Sequence, residues 1–249
     1  MSECESRRDL AAACHLFHQF GWDEYLLAHQ HLSIRLPSSN EDEDSRSISF
    51  LINPPGLPLE YVTAADLDRV DATLLDSAVD TSYAHADSID FHLQTHGRLA
   101  CSPSARDVVR CVFQCQTIPG IAVAGLSCGI LPLCQGSYFA LEGGCVTWAV
   151  TNPNCPLDAT HKVVLSPLHG LVTAGRTPAE AFHYMFYLTQ ACSMQVAASA
   201  AGRARLGVPS AHVDAIFAST MTPFQTKGMG HDLFHALLRR VPPHVLQLG

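Results

Sequence analysis

The sequence has little positive charge and no long apolar run. It carries 15 lysines and arginines against 23 aspartates and glutamates, for a net charge of -8. The basic residues cluster no further than pairs such as Arg239-Arg240. Nucleic acids and anionic membrane surfaces are bound by concentrated positive charge, so we expect neither as a partner. No stretch approaches the roughly 20 consecutive apolar residues that cross a bilayer, so no membrane span is expected.

The N-terminus lacks the pattern of a secretory leader. Where a leader has a continuous apolar stretch, this chain is interrupted by His15, His18 and Gln19. We therefore expect a cytoplasmic protein. The cysteines are scattered without a Cys-x-x-Cys pair. In a reducing compartment, cysteines of this kind are mostly free thiols that fill the core.

Several sequence signatures of catalysis are missing. There is no glycine-rich nucleotide loop of the Walker or Rossmann type and no serine nucleophile elbow. His231 and His235 resemble the His-Glu-x-x-His pattern of zinc proteases, with Asp232 in place of the glutamate. The chain has 14 histidines, which produce roughly one pair at this spacing by chance. Because the carboxylate is also one methylene shorter, protease chemistry is not expected.

Two other pairs of side chains have alternative interpretations. His29 and His31 alternate on a predicted strand, so both could face one side, together with Ser33, as metal ligands; the alternative is a chance pairing. Cys111 and Cys115 also share one face of a predicted strand. A reactive thiol needs a cation or a helix N-terminus to lower its pKa. Because only Arg110 is adjacent in sequence, we interpret both cysteines as core residues.

The chain does have an apolar, globular composition, with 47% hydrophobic and 15% charged residues among 249. Such a chain can bury a sizeable core. The predicted helices are 7–20, 63–67, 89–99, 178–200 and 230–240, and the predicted strands are 29–37, 47–53, 108–114, 129–133, 145–150 and 162–166. Segments expected to be irregular are 38–46, 72–88 and 151–160, and a further segment, 209–222, precedes the last helix. This mixture of hairpins and crossovers predicts an α/β domain with a mixed sheet covered on both faces.

The clearest local signal is the start of the helix predicted over 178–200. Thr177 is a typical N-cap residue, Pro178 suits the first helical position, and Glu180 completes a capping box. Apolar residues then recur at helical spacing, and Gly202 marks the end of the helix.

The stretch 112–123 is the most informative of the chain. It begins as a β-branched and aromatic run, crosses three polar residues and continues into a small-residue segment typical of a helix start. Residues two apart on a strand point to the same face. Gln114 and Gln116 are therefore predicted to project together toward the head of a helix.

Seven short stretches stand together in this sequence: QHLSIR (30–35), LINPPGL (51–57), VTAADL (62–67), SCGILP (127–132), VLSPLHG (164–170), EAFHY (180–184) and ACSMQV (191–196). Their order and spacing over 7–202 resemble the class II aldolase/adducin family, most closely the globular heads of adducins. The resemblance implies a three-layer α/β/α sandwich with a central mixed β-sheet. It implies one domain over 1–249, with 203–249 as a C-terminal helical extension. It also implies a homo-oligomer, either a ring tetramer or a dimer.

Enzymes of this family hold a divalent metal, commonly zinc, through a His-x-His pair on a strand and a third histidine in a His-Gly pair. The metal acts as a Lewis acid on the enediolate of a sugar phosphate, and a glutamate is the acid and base. The resemblance places Gln114 and Gln116 at the His-x-His pair and His169 at the third histidine. The glutamate position falls on Ser88, four residues before His92.

The family holds the substrate phosphate in glycine-containing turns, where unpaired N–H groups favour anions. The first of these turns falls on Gln30 and His31, and the second keeps its glycine. The resemblance therefore implies a ligand pocket lined by Gln30, His31, Gly56, Gln114, Gln116 and His169.

These replacements predict that the family's catalysis is lost. An amide oxygen is a weak, neutral ligand, whereas zinc sites use imidazole, thiolate and carboxylate. With His169 as the only surviving ligand, we expect neither a catalytic residue nor a metal cofactor. We expect an inactive, oligomeric binding or scaffold module, and the likeness to adducins implies a cytoskeletal setting with actin and spectrin. One alternative is a divergent aldolase or epimerase that uses zinc or another divalent metal on a sugar phosphate. Another is an amide site for a neutral or anionic ligand.

Overall fold

A mixed β-sheet forms the centre of the fold. A computed structural model of the chain describes residues 2–23, 30–37, 47–73, 86–148, 154–202 and 228–248. The strands in these residues are β1 (His31–Arg35), β2 (Ser47–Ile52), β3 (Asp68–Thr73), β4 (Cys111–Cys115), β5 (Val146–Thr147), β6 (Val163–Ser166) and β7 (Gly170–Gly175). They lie side by side in the order β3-β2-β1-β4-β7-β6-β5. Neighbouring strands are antiparallel except β5 with β6, which are parallel.

Helices cover both faces of this sheet. They are α1 (Glu3–Gln19), α2 (Ala86–Cys101), α3 (Ile118–Ala124), α4 (Gln135–Glu142), α5 (Pro178–Ala200) and α6 (His231–Leu237). Phe113 and Leu171 of the sheet pack in one core cluster with α1 and α5. Phe50 packs on the other side with Leu93 of α2. The predicted α/β/α arrangement with a mixed sheet is confirmed. Within the described ranges, none of the helices has both the length and the apolar character needed to cross a membrane.

The faces of β4 follow the period of two that a strand imposes. Cys111, Phe113 and Cys115 point into the cluster with α1 and α5. Val112 belongs to the cluster on the opposite side. Because successive side chains alternate, Gln114 shares the Val112 face, toward α2. Cys115 therefore points away from Gln114, as the sequence predicted.

The start of α5 confirms most of its predicted cap. Thr177 Oγ1 accepts the Glu180 N–H at 3.2 Å, with proline in the first turn. The Glu180 carboxylate, however, does not return to the Thr177 N–H. It accepts from the Arg176 N–H at 2.8 Å and from Lys162 Nζ at 2.6 Å. The reciprocal half of the capping box is wrong because a cation competes for the carboxylate.

The helix predicted over 63–67 is a turn. Both the hydroxyl and the N–H of Thr63 donate to Asp66 Oδ2, at 2.6 and 2.8 Å. Local side-chain bonds of this kind offer the backbone an alternative to a helix. Thr63 and Asp66 do interact, but they close a turn, so the predicted helix and its cap are wrong.

The strand predicted over 129–133 is irregular instead. Gln195 of α5 accepts the Leu131 N–H and donates to the Gly129 carbonyl, both at 2.8 Å. Gly129 also has a φ of 59°, which no regular strand accommodates. These bonds to α5 replace the ladder that a strand would need.

Three strands and helices were not predicted, and some predictions lie outside the described residues. The structure adds the edge strand β3, the strand β7 and the short helix α4, and α2 begins at Ala86 inside the segment expected to be irregular. Of the strand predicted over 145–150, β5 is present, and residues 149–150 are not described. His29 and the segments 38–46, 74–85, 151–153 and 209–222 are also not among the described residues.

The C-terminal residues pack on the same core as the N-terminal helix. The helix predicted over 230–240 is confirmed as α6, followed by a 3-10 turn at Leu238–Arg240. Phe234 of α6 contacts Phe182 of α5, with ring centroids 5.6 Å apart. It lies in one hydrophobic cluster with Leu10 of α1. That all of 1–249 is one domain stays a prediction, as does the extension over 203–249.

Candidate functional site

Strands β1 and β4 place a row of polar side chains under α2. The antiparallel register pairs His31 with Gln114 and Ser33 with Val112. Residues paired across two strands point to the same face. His31, Ser33 and Gln114 therefore lie side by side, and all three are almost fully buried. Buried polar groups of this kind need hydrogen-bond partners inside the protein.

The amides of Gln114 and Gln116 bind the backbone of the turn between β6 and β7. Gln114 Nε2 donates to the His169 carbonyl at 3.0 Å, and Gln116 Nε2 donates to the Leu168 carbonyl at 2.9 Å. This pair of glutamines is termed the amide clasp. Gln116 lies just past the end of β4 and is half-buried, yet both side chains reach the same turn.

A glycine allows this turn to approach β4. Gly170 has a φ of 74°, a left-handed conformation that glycine adopts without strain. A Cβ there would lie 2.3 Å from the Cys115 carbonyl oxygen and 2.8 Å from Cγ of Gln116. On the other side, Ser166 Oγ accepts the His169 N–H at 3.1 Å. The turn is therefore held from both ends.

The His169 side chain belongs to an aromatic stack. Its ring centroid lies 4.4 Å from that of Trp148, with 14° between the planes. Phe91 of α2 is also nearly parallel to His169, at 5.8 Å. Trp148 is buried and His169 is half-buried, so one face of the imidazole is covered by indole.

Ring contacts connect His169 to the histidines under α2. Phe91 contacts His92, with ring centroids 5.1 Å apart, and the His92 ring lies 6.2 Å from that of His31. His31 pairs with Gln114 in the sheet, and Gln114 binds the His169 carbonyl. These contacts therefore form a closed ring. Its five residues, His31, Phe91, His92, Gln114 and His169, are termed the candidate site.

A serine hydroxyl joins two histidines beside the candidate site. Ser33 Oγ lies 2.7 Å from His92 Nδ1 and 2.7 Å from His96 Nε2. Burial lowers the pKa of His92 well below its ordinary value, and the neighbouring His31 and His96 lower it further. Burial, and then the Arg35 guanidinium, lower the pKa of His96 to about 3. Both imidazoles are therefore neutral at neutral pH.

The other predicted site residues lie around the end of β2. Asn53 Nδ2 donates to the Gln30 carbonyl at 3.1 Å, and Asn53 Oδ1 accepts the Leu32 N–H at 2.8 Å. Gly56 lies in the turn that follows, with a φ of 79° and open space beside its Cα. The structure thus links the Gln30 backbone to the end of β2, while Gly56 stands in an open turn.

The sequence reasoning missed His96, although a signal for it exists. His96 follows His92 by four residues on a predicted helix, so the two share a face. The prediction that Ser33 shares the face of His31 is confirmed. Ser88, at the family's glutamate position, lies on α2 one turn before His92.

The residues at the predicted metal position do not fit a zinc centre. Gln114 and Gln116 direct their N–H groups to backbone carbonyls, and the His169 ring stacks on Trp148. Zinc selects imidazole, thiolate and carboxylate ligands. Among the residues that the structure describes, no group of three or more histidines, cysteines, aspartates or glutamates could hold a metal ion.

The structure also places the other histidine and cysteine pairs that the sequence singled out. His231 and His235 lie on α6 with ring centroids 4.2 Å apart, but they form no such group of three with a described residue. Cys111 and Cys115 are fully buried, and burial raises the pKa of each thiol. The core interpretation of these cysteines is confirmed.

Residues 8–196 match the family described as Class II Aldolase and Adducin N-terminal domain. A Pseudomonas aeruginosa protein named "Putative aldolase class 2 protein" is 32% identical over an alignment of 256 residues, which covers 96% of this chain and 90% of that protein. Human gamma-adducin is 30% identical over 222 residues. That alignment covers 84% of this chain but only 28% of gamma-adducin.

Solved structures show the same fold. An aldolase II superfamily protein from Pseudomonas syringae superposes with a TM-score of 0.73 at 27% identity, covering 99% of this chain and 96% of that one. The L-fuculose 1-phosphate aldolase of Glaciozyma antarctica has a TM-score of 0.67 at 19% identity, covering 98% and 92%, and supports the fold alone. By its sequence match over most of its length and by its fold, this chain belongs to the class II aldolase/adducin family.

Proposed function

We propose that this chain is a catalytically inactive member of its family that serves as an oligomeric binding or scaffold module. The amide clasp carries this proposal. Gln114 and Gln116 stand where the resemblance places two metal ligands, and their N–H groups are engaged by the Leu168 and His169 carbonyls. Enediolate chemistry of the family's kind requires a Lewis acid, and these amides do not assemble a site for one.

The composition and burial of the candidate site support the same conclusion. His31, His92 and Gln114 are almost fully buried, and they pack against neighbouring side chains. None of the five members is aspartate, glutamate, lysine or arginine. The candidate site therefore lacks the carboxylate that the family uses as acid and base.

Exposed apolar side chains beside the amide clasp support a role in assembly. Leu168, whose carbonyl accepts from Gln116, is 59% exposed, and Ile118 at the start of α3 is 58% exposed. Ala122, one turn further along α3, is also exposed. Neighbouring apolar side chains on a surface are typical of protein–protein contacts. A tetramer or dimer that buries this surface is the expected assembly.

The likeness to adducins supports a cytoplasmic, actin-associated setting. That likeness covers 84% of this chain but spans only 28% of gamma-adducin, so the partners of the whole adducin molecule are proposals here. The net charge of -8 supports neither nucleic acid nor an anionic membrane as a partner.

A divergent aldolase or epimerase acting on a sugar phosphate is the second candidate. The retained His169, which is half-buried and reachable from solvent, favours it. So does the likeness to "Putative aldolase class 2 protein", which covers 96% of this chain. In that case zinc or another divalent metal would bind through His169 and donors outside the amide clasp.

Metal content separates the two candidates. Zinc, manganese and iron are measured by elemental analysis in protein purified without chelator, and in the variant His169→Ala. The proposed function predicts far less than one metal ion per chain, with no change in the variant. Stoichiometric metal that disappears in His169→Ala would establish the aldolase or epimerase candidate instead.

Assembly and partner binding are tested separately. Light scattering is expected to give a dimer or tetramer that Ile118→Asp dissociates. The control Tyr61→Asp changes an apolar residue that is equally exposed, at 61%, on another surface, and should leave the oligomer intact. A strictly monomeric protein would contradict the scaffold role. Co-sedimentation with actin filaments tests the cytoskeletal setting, and protein left in the supernatant would count against it.

A further inference from the structure

We propose that Gln114 and Gln116 are positioning residues, which hold the backbone of His169 so that its ring lies on Trp148. This inference rests on the proposed function, in which no metal joins the ends of β4 and the turn at 167–169. The glutamine side chains then hold the turn through hydrogen bonds to its backbone, where metal coordination would otherwise hold it.

The amide clasp continues the pairing of β4 with β7 beyond the end of the sheet. The last residue pair of these strands is Cys115 with Leu171. Beyond it the chain turns sharply at Gly170, and side-chain amides reach the carbonyls of His169 and Leu168. The turn is therefore tied to β4 at two consecutive residues, which prevents it from rotating about the end of the sheet.

Close contacts on both sides of the turn leave it little freedom. A Cβ at Gly170 would lie 2.8 Å from Cγ of Gln116. A Cβ at Gly120 would lie 2.8 Å from the Leu171 side chain and 2.8 Å from Thr117 Oγ1. Since both glycines are needed for this approach, the distance between the turn and the amide clasp is set by packing as well as by hydrogen bonds.

The backbone of His169 directs its ring. Its carbonyl accepts from Gln114 Nε2 at 3.0 Å, and its N–H donates to Ser166 Oγ at 3.1 Å. With both backbone polar groups held, the side chain extends over Trp148, 4.4 Å away and nearly parallel. The main chain of His169 therefore contributes to the placement of its ring.

Replacing one amide nitrogen by oxygen tests this arrangement with little change in shape. Gln114→Glu and Gln116→Glu each remove the donor and set an oxygen against a backbone carbonyl. The matched control is Gln19→Glu. Gln19 Nε2 donates to the Arg240 carbonyl at 3.0 Å, and it lies at the end of α1, which packs on the opposite face of the sheet from α2.

The fluorescence of Trp148 reports the stack, because indole emission depends on the groups in contact with the ring. Trp22 is the other tryptophan, so all variants carry Trp22→Phe. We expect the emission of Gln114→Glu and Gln116→Glu to differ from that of the unsubstituted protein, because the two rings separate. Gln19→Glu should leave emission unchanged even if it lowers the unfolding midpoint. Unchanged emission in both variants of the amide clasp would overturn the inference.

A second variant tests the inference by restoring the Trp148 emission with a metal. In Gln114→His/Gln116→His, emission should differ from that of the unsubstituted protein in chelator and return toward its level with one equivalent of zinc. Adding His169→Ala to this variant should abolish the response. A merely structural role for the glutamines would not be rescued by a metal. Zinc that fails to bind, or that binds without changing emission, would contradict a shared point of attachment.

The two proposals fail in different experiments. Stoichiometric metal in the unsubstituted protein would overturn the proposed function. Unchanged Trp148 emission in the glutamate variants would overturn the positioning role, whatever the metal content of the unsubstituted protein.

Discussion

The Ser33 hydroxyl oxygen lies 2.7 Å from His92 Nδ1, in the interior between β1 and α2. The same oxygen lies 2.7 Å from His96 Nε2. A hydroxyl can donate only one proton, so at least one of the two imidazoles must donate to it. One serine therefore links two successive turns of α2 to the sheet, so removal of its hydroxyl should weaken both contacts.

We expect Ser33→Ala to lower the free energy of unfolding by about 1–3 kcal/mol, because it leaves buried imidazole nitrogens without a partner. Urea denaturation measures the change. The control is Ser49→Ala on β2, whose hydroxyl donates to the exposed Asp71; it should cost about 0.5 kcal/mol or less. An equal loss of stability in the two variants would show that the buried hydroxyl contributes no more than the exposed one.

The stability of the protein should fall in mild acid. Burial lowers the pKa of His96 from 6.5 to about 3 and that of His92 well below 6.5. Below about pH 6.5 the unfolded chain binds protons that the folded chain does not, so the free energy of unfolding decreases as the pH decreases. Between neutral pH and about pH 5, we expect His96 to account for a loss of about 2 kcal/mol, and His92 to act in the same direction. Urea titrations at several pH values measure it.

Substitution of one histidine identifies the source of this pH dependence. His96→Phe, which would pack near Phe50, removes one titrating group and should make the pH dependence shallower by about one proton. A slope that His96→Phe leaves unchanged would mean that the acid sensitivity arises elsewhere.

Gly170→Ala should be among the most destabilising single substitutions in the described chain. Its φ of 74° disfavours alanine, and the added Cβ would meet the Cys115 carbonyl oxygen at 2.3 Å. We expect a cost of about 3 kcal/mol or more. Gly56→Ala separates the two causes, because Gly56 has a φ of 79° but nothing within 4 Å of a Cβ. It should cost only about 1 kcal/mol, and similar costs for both variants would exclude the contact as the cause.

The ion pair of Lys162 with Glu180 should contribute more than exposed pairs do. Its atoms are 2.6 Å apart, and the side chains are 15% and 12% exposed. We expect Lys162→Met to cost about 2–3 kcal/mol, since it leaves a largely buried carboxylate without its cation. Arg69→Gln, at a pair 46% and 37% exposed with Glu3, should cost less than about 1 kcal/mol. Thermal unfolding of the two variants compares them directly, and equal shifts would contradict the role of burial.

Where the signal is local, the sequence was sufficient. The alternation along Cys111, Val112 and Phe113 predicted both the strand and its two faces, because a strand turns its side chains by a fixed angle at every residue. Thr177 predicted the start of α5 because an N-cap bond closes within three residues. The family motifs predicted the α/β/α sandwich through their order and spacing along the chain.

Elements that depend on a neighbour were missed or misassigned. Strand β3, with the sequence Asp-Arg-Val-Asp-Ala-Thr, shows little hydrophobicity and exists because β2 pairs with it at the edge of the sheet. The segment 129–133 looks like a strand but is tied to α5 by Gln195. In both cases a partner far away in sequence outweighs the local propensity.

The sequence by itself determined the family, the layered fold and the loss of the histidine pair at 114 and 116. Only the tertiary structure decided what the glutamines do there. Their partners, the carbonyls of His169 and Leu168, lie 55 and 52 residues away, and Ser33 reaches His92 across 59 residues. No local pattern encodes such contacts, because a hydrogen bond depends on where folding brings two atoms and not on how far apart they lie along the chain.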